Sequence, residues 1–518
     1  MRKVIVLFMI TSSLFAWEIN THRAIDQRAI KNANNFSIFI ENSNIINAKY
    51  TDEIFEGYGM SYRKYLLDGE EDGISANKWN QVFPSTMHAK DLIEAGSILE
   101  DAQWPNSARW NGRFVNHFYD AQFSGSGSRG LVYLGTRFLS ADLWALQGID
   151  TVNRHNLYSY NNALDYFIKG FTESSPIERK KYQAKMLVSV GHLMHMVNDM
   201  SSTAHTRADP HAEGDVMEVW GSGGESGNKG TGFRVSGNRL LAYAGISKNP
   251  DNRVPKYGKF ADFITQEATW TATHFFSKDT IFTKKYPRES DTYEDLFYSL
   301  DGLEKYYVRS DSISGIPRGT KLAIRVKSYI TNALKEKYYK DNKLTMGFDM
   351  STSFRGNYSV ITDNAKILIP RAIANGRNFV NYFFRGQIEA KIDGSNITIK
   401  NISDKSLVKD GYTATLGADS NYFHIKYHTG DGILKDFEFV RDENRFISNI
   451  AHIGPIDMVF KGGFSSLVSL APGESIVVAI KRDTSIMSKN IVVMYDGQIG
   501  NERGIAICSA QTPSVMQN

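Results

Sequence analysis

A single cysteine, Cys508, stands in a chain of 518 residues, so no intramolecular disulfide can form and no cysteine-built zinc ribbon or redox pair is possible. Any metal must be held mainly by histidine and carboxylate. Proline is scarce at 12 residues, and neither solenoid-length repeats nor low-complexity tracts occur, which excludes collagen-like, disordered and repeat architectures. No stretch reaches the ~20 apolar residues that a membrane span needs. An excess of one charge is also missing. Lys+Arg 60 against Asp+Glu 56 leaves +4, too slight a bias to mark a polyanion binder. What remains, 42% hydrophobic and 22% charged residues, is the balance of a folded soluble chain. At roughly 100 to 200 residues per domain its length allows two to four domains.

Arg2 and Lys3 precede a short apolar stretch from Val4 to Ile10, followed by Thr11-Ser12-Ser13-Leu14-Phe15-Ala16. These are the charged, apolar and small-residue parts of a secretory signal, so residues 1–16 are read as one and the protein as exported, to the periplasm or outside the cell. Cleavage after Ala16 makes Trp17 the new amino terminus. Residues 17–384 read as a helix-rich domain and residues 385–518 as a β domain. Helical periodicity runs from Ala89 to Glu100, Lys185 to Met200, Thr292 to Tyr339 and Asp363 to Phe384, with Pro370 as a kink or start. The glycine-rich run Gly221 to Gly227 reads as a surface loop. After Arg385, short alternating runs (Ile388 to Ile392, Ile397 to Ile402, Phe423 to Tyr427, Ser475 to Ile480, Ile491 to Tyr495) separated by turn residues predict a β-sandwich.

Eight of the twelve histidines precede residue 212. His195 and Asp199 are four apart, which on a helix places an imidazole and a carboxylate on one face where they can converge on a cation. The ordinary alternative is a His–Asp hydrogen bond. His192 falls near the same face and is better read as a buried core histidine. His205 follows Ser201-Ser202-Thr203, where the helical pattern breaks. Asp209, His211, Asp215 and Glu218 follow in a stretch where a solvated loop would also carry acids; Asp215 and Glu218 can equally cap a helix. Upstream, Glu100-Asp101 ends one helix, and His117 lies in an aromatic strip sixteen residues after Asp101. Trp17 and His22 are five apart. A free α-amino nitrogen and the carbonyl oxygen of Trp17 can form a five-membered chelate that an internal tryptophan cannot. His424 and His428 share a strand face and read as surface residues.

Taken together, Trp17, His22, Glu100-Asp101, Asn116-His117-Phe118-Tyr119-Asp120, His195-x3-Asp199-x5-His205 and Gly214-Asp215-x2-Glu218 resemble the bacterial zinc-dependent phospholipase C family, related to the single-strand-specific nucleases of fungi and plants. The resemblance implies a mostly helical catalytic domain holding three Zn2+ ions. It implies Asp101, His117, His195 and Asp199 around one ion, Trp17, His22 and a bridging Asp199 around a second, and His205 with Glu218 and a further ligand around a third. The chain departs from the pattern at Gly214, where the family places a histidine. His211 or Asp215 then completes the third site, with His211 preferred as the imidazole donor. Asp101 would also orient or deprotonate the attacking water, and Asn116, Arg207 and Asp209 are candidates for supporting the ligands.

The implied activity is phospholipase C hydrolysis of phospholipids, at a membrane surface, to diacylglycerol and a phosphorylated head group. The alternative is a single-strand nuclease or nucleotidase on the same scaffold, which the step from Trp17 to His22 fits better. No obligate protein partner is implied. Clostridial toxins of the family carry a C-terminal β-sandwich that meets membranes; the β region here lacks a dense Asp cluster for calcium and resembles an immunoglobulin-type sandwich as much. A binding protein with purely structural zinc is disfavoured by the many carboxylates and the lack of closed tetrahedral sets.

Overall fold

The computed structural model describes residues 19–43, 88–101, 113–133, 135–147, 156–210, 246–277, 280–281, 285, 293–297, 304–313, 315–326, 344–345, 358–393, 396–407, 422–429, 431–436, 459–460, 463–465, 470–479 and 491–510. The signal segment, Trp17, His211, Asp215, Glu218 and the run 221–227 lie outside them, and of Asp101 only the backbone is described. Among the described residues no helix is long and apolar enough to cross a membrane.

Helices come first: α1 (Ile19–Lys31), α2 (Asn34–Ser43), α3 (Ala89–Asp101), α4 (Ala141–Gln147), α5 (Tyr160–Thr172), α6 (Pro176–Asp199), the single turn α7 (Thr203–Thr206) and α8 (Phe260–His274). The axis is α6. Ser175 caps it by accepting the Glu178 N–H at 3.4 Å, with Pro176 at the first helical position. Every residue from Met186 to Asp199 is buried, which requires that the polar groups on this stretch find partners inside the protein. Helix α3 crosses α6 at unusually close range. A Cβ on Gly96 would lie 2.0 Å from the Val188 carbonyl oxygen, and one on Gly191 2.0 Å from that of Ile93. Glycine at both positions is what lets the two backbones touch, and this contact brings the end of α3 against His192.

The helical periodicity read from Thr292 to Tyr339 is not borne out in the described part of 293–326, and 327–339 lie outside the described residues. The described part of this stretch forms β3 (Tyr293–Phe297), β4 (Glu304–Arg309) and β5 (Lys321–Val326), joined by β6 (Leu344–Thr345) in an antiparallel sheet of order β3-β4-β5-β6. Runs of five or six residues are too short for periodicity to separate strand from helix. Here the aromatic and β-branched content and the positive-φ Gly315 and Gly319 between β4 and β5 decide for strands. Tyr306, Tyr307, Val308, Leu322 and Ala323 pack on α9 (Tyr358–Phe383) through Val360, Ile361, Leu368, Ile369 and Ile373. Pro370 lies inside α9, its carbonyl accepting the Asp251 N–H at 2.9 Å.

The C-terminal part is a nine-stranded sheet. It comprises β7 (Gly386–Asp393), β8 (Asn396–Asn401), β9 (Tyr422–His428), β10 (Leu434–Asp436), β11 (Val459–Phe460), β12 (Gly463–Ser465), β13 (Ser475–Ala479), β14 (Ile491–Ile499) and β15 (Glu502–Ala510). The order is β11-β12-β9-β14-β15-β7-β8-β13, with β10 on β9; β15 and β7 run parallel and the other pairs antiparallel. Strand alternation gives β14 two duties. Ile491, Val493 and Tyr495 share one apolar cluster with Ile388, Ile397, Ile399, Phe423 and Ile425. Val492 and Met494, with Ile505 and Ile507 of β15, belong to the cluster that includes Phe36, Phe39 and Phe384 of the helical part. Glu502 of β15 accepts the Phe260 N–H at 2.9 Å at the start of α8, whose own cap residue, Lys259, makes no side-chain capping bond. His424 and His428 share a face of β9 but are half-buried rather than on the surface, His428 lying near Arg179 of α6.

Candidate metal centre

Four segments meet at the C-terminal end of α6. The helix presents His195 and, one turn on, Asp199; α1 presents His22; the segment after the 3-10 turn Arg113–Asn116 presents His117; α7 presents His205. The last two are registered by main-chain bonds: the Tyr119 N–H donates to the His205 carbonyl at 2.9 Å and the Ala121 N–H to that of Thr206 at 3.3 Å. The His205 Nδ1–H donates back to the His117 carbonyl at 3.1 Å, and the Phe118 ring stacks on the His205 imidazole, with centroids 4.3 Å apart. His22, His117 and Asp199 are fully buried, His195 and His205 within 1% of it.

Asp199 is the hub. Its Oδ1 lies 3.1 Å from His22 Nε2, and its Oδ2 lies 3.3 Å from His117 Nδ1, 3.3 Å from His195 Nε2 and 3.5 Å from His205 Nδ1. Neither oxygen accepts a hydrogen bond of acceptable geometry. Donor atoms of His22, His195 and Asp199 form one group, and those of His117, Asp199 and His205 a second, all within 4.8 Å of one another inside each group. An ion bound tetrahedrally at bond lengths of about 2.0–2.2 Å holds its donors about 3.4 Å apart. The spacings here, 3.1–3.5 Å, lie around that value, and the two groups can hold metal ions with Asp199 common to both. Imidazole and carboxylate donors suit zinc among other divalent metals.

Behind the ligands lies Glu100, also buried. One carboxylate oxygen accepts from Arg113 Nε at 2.9 Å and Nη2 at 2.6 Å and meets His192 Nδ1; the other accepts from His117 Nε2 and Trp144 Nε1, both at 3.1 Å. Since His117 donates through Nε2, its Nδ1 is the nitrogen presented to Asp199, the kind of tautomer control that carboxylates exert on metal-bound histidines. His192 stacks on Tyr158, centroids 3.9 Å apart, and so holds the core position expected of it. Arg113 is braced by Asn156 Oδ1 at 2.9 Å and lies over the Trp144 and Tyr158 rings.

Electrostatics follow this layout. Burial opposes the ionisation of Glu100, but Arg113 and His192 overcome it and hold its carboxyl well below the usual range. Burial likewise opposes ionisation of Asp199, and the charges of His195 and His205 bring it well below the ordinary value. For His117 burial works against protonation, and the carboxylates of Asp199 and Glu100 outweigh it, so its pKa is raised.

Of the ten residues singled out in the sequence, the structure brings His22, His117, His195, Asp199 and His205 together; Trp17, His211, Asp215, Glu218 and the Asp101 side chain are outside the described residues. His117 and His195 meet at one oxygen of Asp199, as the resemblance implied, while the donor groups also join His195 with His22 and His205 with His117. Among the supporting candidates, Asn116 is buried. Arg207 is turned to Thr280 Oγ1 at 3.1 Å and the Ala272 carbonyl at 2.7 Å, and Asp209 closes the turn after α7 by donating its N–H to Ala204 at 2.9 Å. Sequence reasoning gave no role to Glu100, Arg113, Asp26 or Asn198. Asp26 lies four residues after His22, a spacing that was readable; the Glu100 partners had no local signal.

No protein-family model matches the chain, and no curated protein does. Among solved structures it is similar to the alpha-toxin of Clostridium perfringens from an avian strain, with 11% sequence identity over 94% of this chain and 97% of that one and a TM-score of 0.27. A superposition that loose adds no weight to the site, which stands on the side chains just described.

Proposed function

We propose that the chain is a zinc-dependent phosphodiester hydrolase, an exported phospholipase C that cleaves phospholipids to diacylglycerol and a phosphorylated head group. The observation that carries this reading is the buried Asp199 carboxylate, with imidazole nitrogens of His22, His117 and His195 at 3.1–3.3 Å, the His205 ring beside them and no aligned hydrogen bond to either oxygen. His22, His195 and Asp199 would hold one ion and His117, His205 and Asp199 another, with Trp17, Asp101, His211, Asp215 and Glu218 completing these sites and a third. Divalent ions held by these residues would supply positive charge for the phosphoryl oxygens and for lowering the pKa of a nearby water.

The chain's own groups do the rest. Glu100 fixes the His117 tautomer, the His117 carbonyl takes the His205 Nδ1–H and so leaves Nε2 as the His205 nitrogen with a lone pair for an ion, and Asp199 keeps its negative charge between the two groups. Asp101, at the end of α3, is the carboxylate that orients or deprotonates the attacking water. The step from Trp17 to His22 supports a second reading, single-strand nuclease or nucleotidase.

Mature protein, prepared with and without zinc, is offered phosphatidylcholine vesicles and single-stranded DNA side by side. The expected result is zinc-dependent release of phosphocholine and more than one zinc per chain by elemental analysis. Cleavage of DNA alone moves the assignment to the second reading. Activity that survives a strong chelator rejects both.

A further inference from the structure

Two polar residues at the centre take no part in either donor group. Asp26 lies one turn after His22 on α1, and Asn198 immediately precedes Asp199 on α6. Both are fully buried, and Asn198 Nδ2 donates to Asp26 Oδ1 at 2.8 Å. The Asn198 amide is confined on its other side by α9: a Cβ on Gly376 would fall 2.7 Å from Asn198 Oδ1 and 3.2 Å from the Ala29 Cβ. Next to it, Asn375 Nδ2 donates to the Val197 and Phe263 carbonyls, each at 3.0 Å, pinning the last turn of α6 to α9 and α8.

We infer that Asp26 and Asn198 are positioning residues, whose hydrogen bond sets α1 against the end of α6 so that His22 faces Asp199 at ligand spacing. The inference rests on the reading of Asp199 as a cation ligand. Asp26 does not belong to either donor group, so it acts through Asn198 rather than on the ion. Burial pushes the Asp26 carboxyl up to about 8; the Ser97 hydroxyl and His195 pull it down, while Glu94 and Asp199 push it further up. Near neutrality it is therefore an uncharged acid, able to accept from Asn198 without setting a second anion beside Asp199. Gly376 completes the device, since any side chain there would displace the Asn198 amide.

Zinc affinity of the full mature chain, read by competition with a chromophoric chelator, tests this, with circular dichroism as the check on folding. Asp26→Asn keeps a carbonyl oxygen for Asn198 and is expected to bind zinc like the wild type. Asp26→Leu and Gly376→Ala are expected to lose about tenfold or more in affinity while folded, the size seen when groups behind metal ligands are removed. Equal losses for Asp26→Asn and Asp26→Leu would make Asp26 a charged ligand and overturn the inference. So would folded Gly376→Ala with wild-type affinity, and this variant decides the matter if Asp26→Leu fails to fold. A wild type that takes up no zinc would instead remove the metal reading itself, an outcome visible before any variant is measured.

Discussion

Glu100 and Asp199 are buried carboxylates that share one neighbour, His117, and the protein treats them in opposite ways. Around Glu100 the donors are complete: a guanidinium bonded through two nitrogens, an indole N–H and His117, with His192 alongside. Around Asp199 there are four imidazoles, and neither carboxylate oxygen accepts an aligned hydrogen bond from them. Burying a charge demands compensation, and at Glu100 the protein supplies it internally. At Asp199 the neighbours are imidazoles that could, with the carboxylate, hold a cation as that compensation.

The largest effect expected from this contrast is at Asp199. Asp199→Asn should abolish zinc uptake and phosphodiester hydrolysis, and elemental analysis showing an unchanged metal content would erase the distinction between the two carboxylates. Glu100→Gln comes next. It leaves the Arg113 guanidinium buried without its counter-charge, a change that costs about 3–5 kcal/mol in comparable buried pairs, and it loosens the His117 tautomer, worth about 10- to 100-fold in metal affinity. Urea denaturation and chelator competition read the two losses separately; if affinity falls and stability does not, Glu100 belongs with Asp199 after all.

Acidity sharpens the comparison. With zinc removed, carboxyls held low, as at Glu100 and Asp199, contribute stability that is present above the ordinary carboxylate range and is lost as pH falls through their depressed values. Asp26 has the reverse sign. Between the ordinary value and about 8 the folded chain keeps a proton that the unfolded chain has released, so stability declines as pH rises across that window and levels off above it. Asp26→Asn should therefore be flatter than the wild type in this range and more stable near pH 8, as followed by urea titration at a series of pH values. A wild type that gains on the variant as pH rises would mean Asp26 ionises as readily as the other two.

The smallest effect lies on the loop-borne side of the centre. Ala208, at φ +47°, holds the left-handed turn that ends α7 just after His205. Ala208→Gly should relieve about 1 kcal/mol and raise the melting temperature by a few degrees. No gain would show that the surroundings already accommodate alanine there.

The part of this arrangement that could be read from sequence is the part encoded locally. His195 and Asp199 are one helical turn apart, and the remaining histidines fell into place through a spaced motif. Glu100 could not be read the same way, because its partners come from 13, 17, 44 and 92 positions away and nothing near it distinguishes it from a solvent-facing acid at a helix end. Asp26 was likewise one acid on an amphipathic helix, its burial decided by α6 and α9. The strands of 293–326 read as helix because each is only five or six residues long. The last strand, Glu502–Ala510, went unnoticed for a different reason. It opens on Glu502-Arg503-Gly504 and is buried on both faces further on, so it shows neither polar alternation nor the unbroken apolar run that made β14 legible.

That two-sided ribbon also bears on how the molecule can be taken apart. With Val492, Met494, Ile505 and Ile507 embedded among helix side chains, position 385 marks a change of secondary structure and offers no seam. A gene fragment stopping there would leave a greasy scar on the helical half and is expected to aggregate. The intact chain should melt as one body, the distal strands completing the apolar core on which the helices rest.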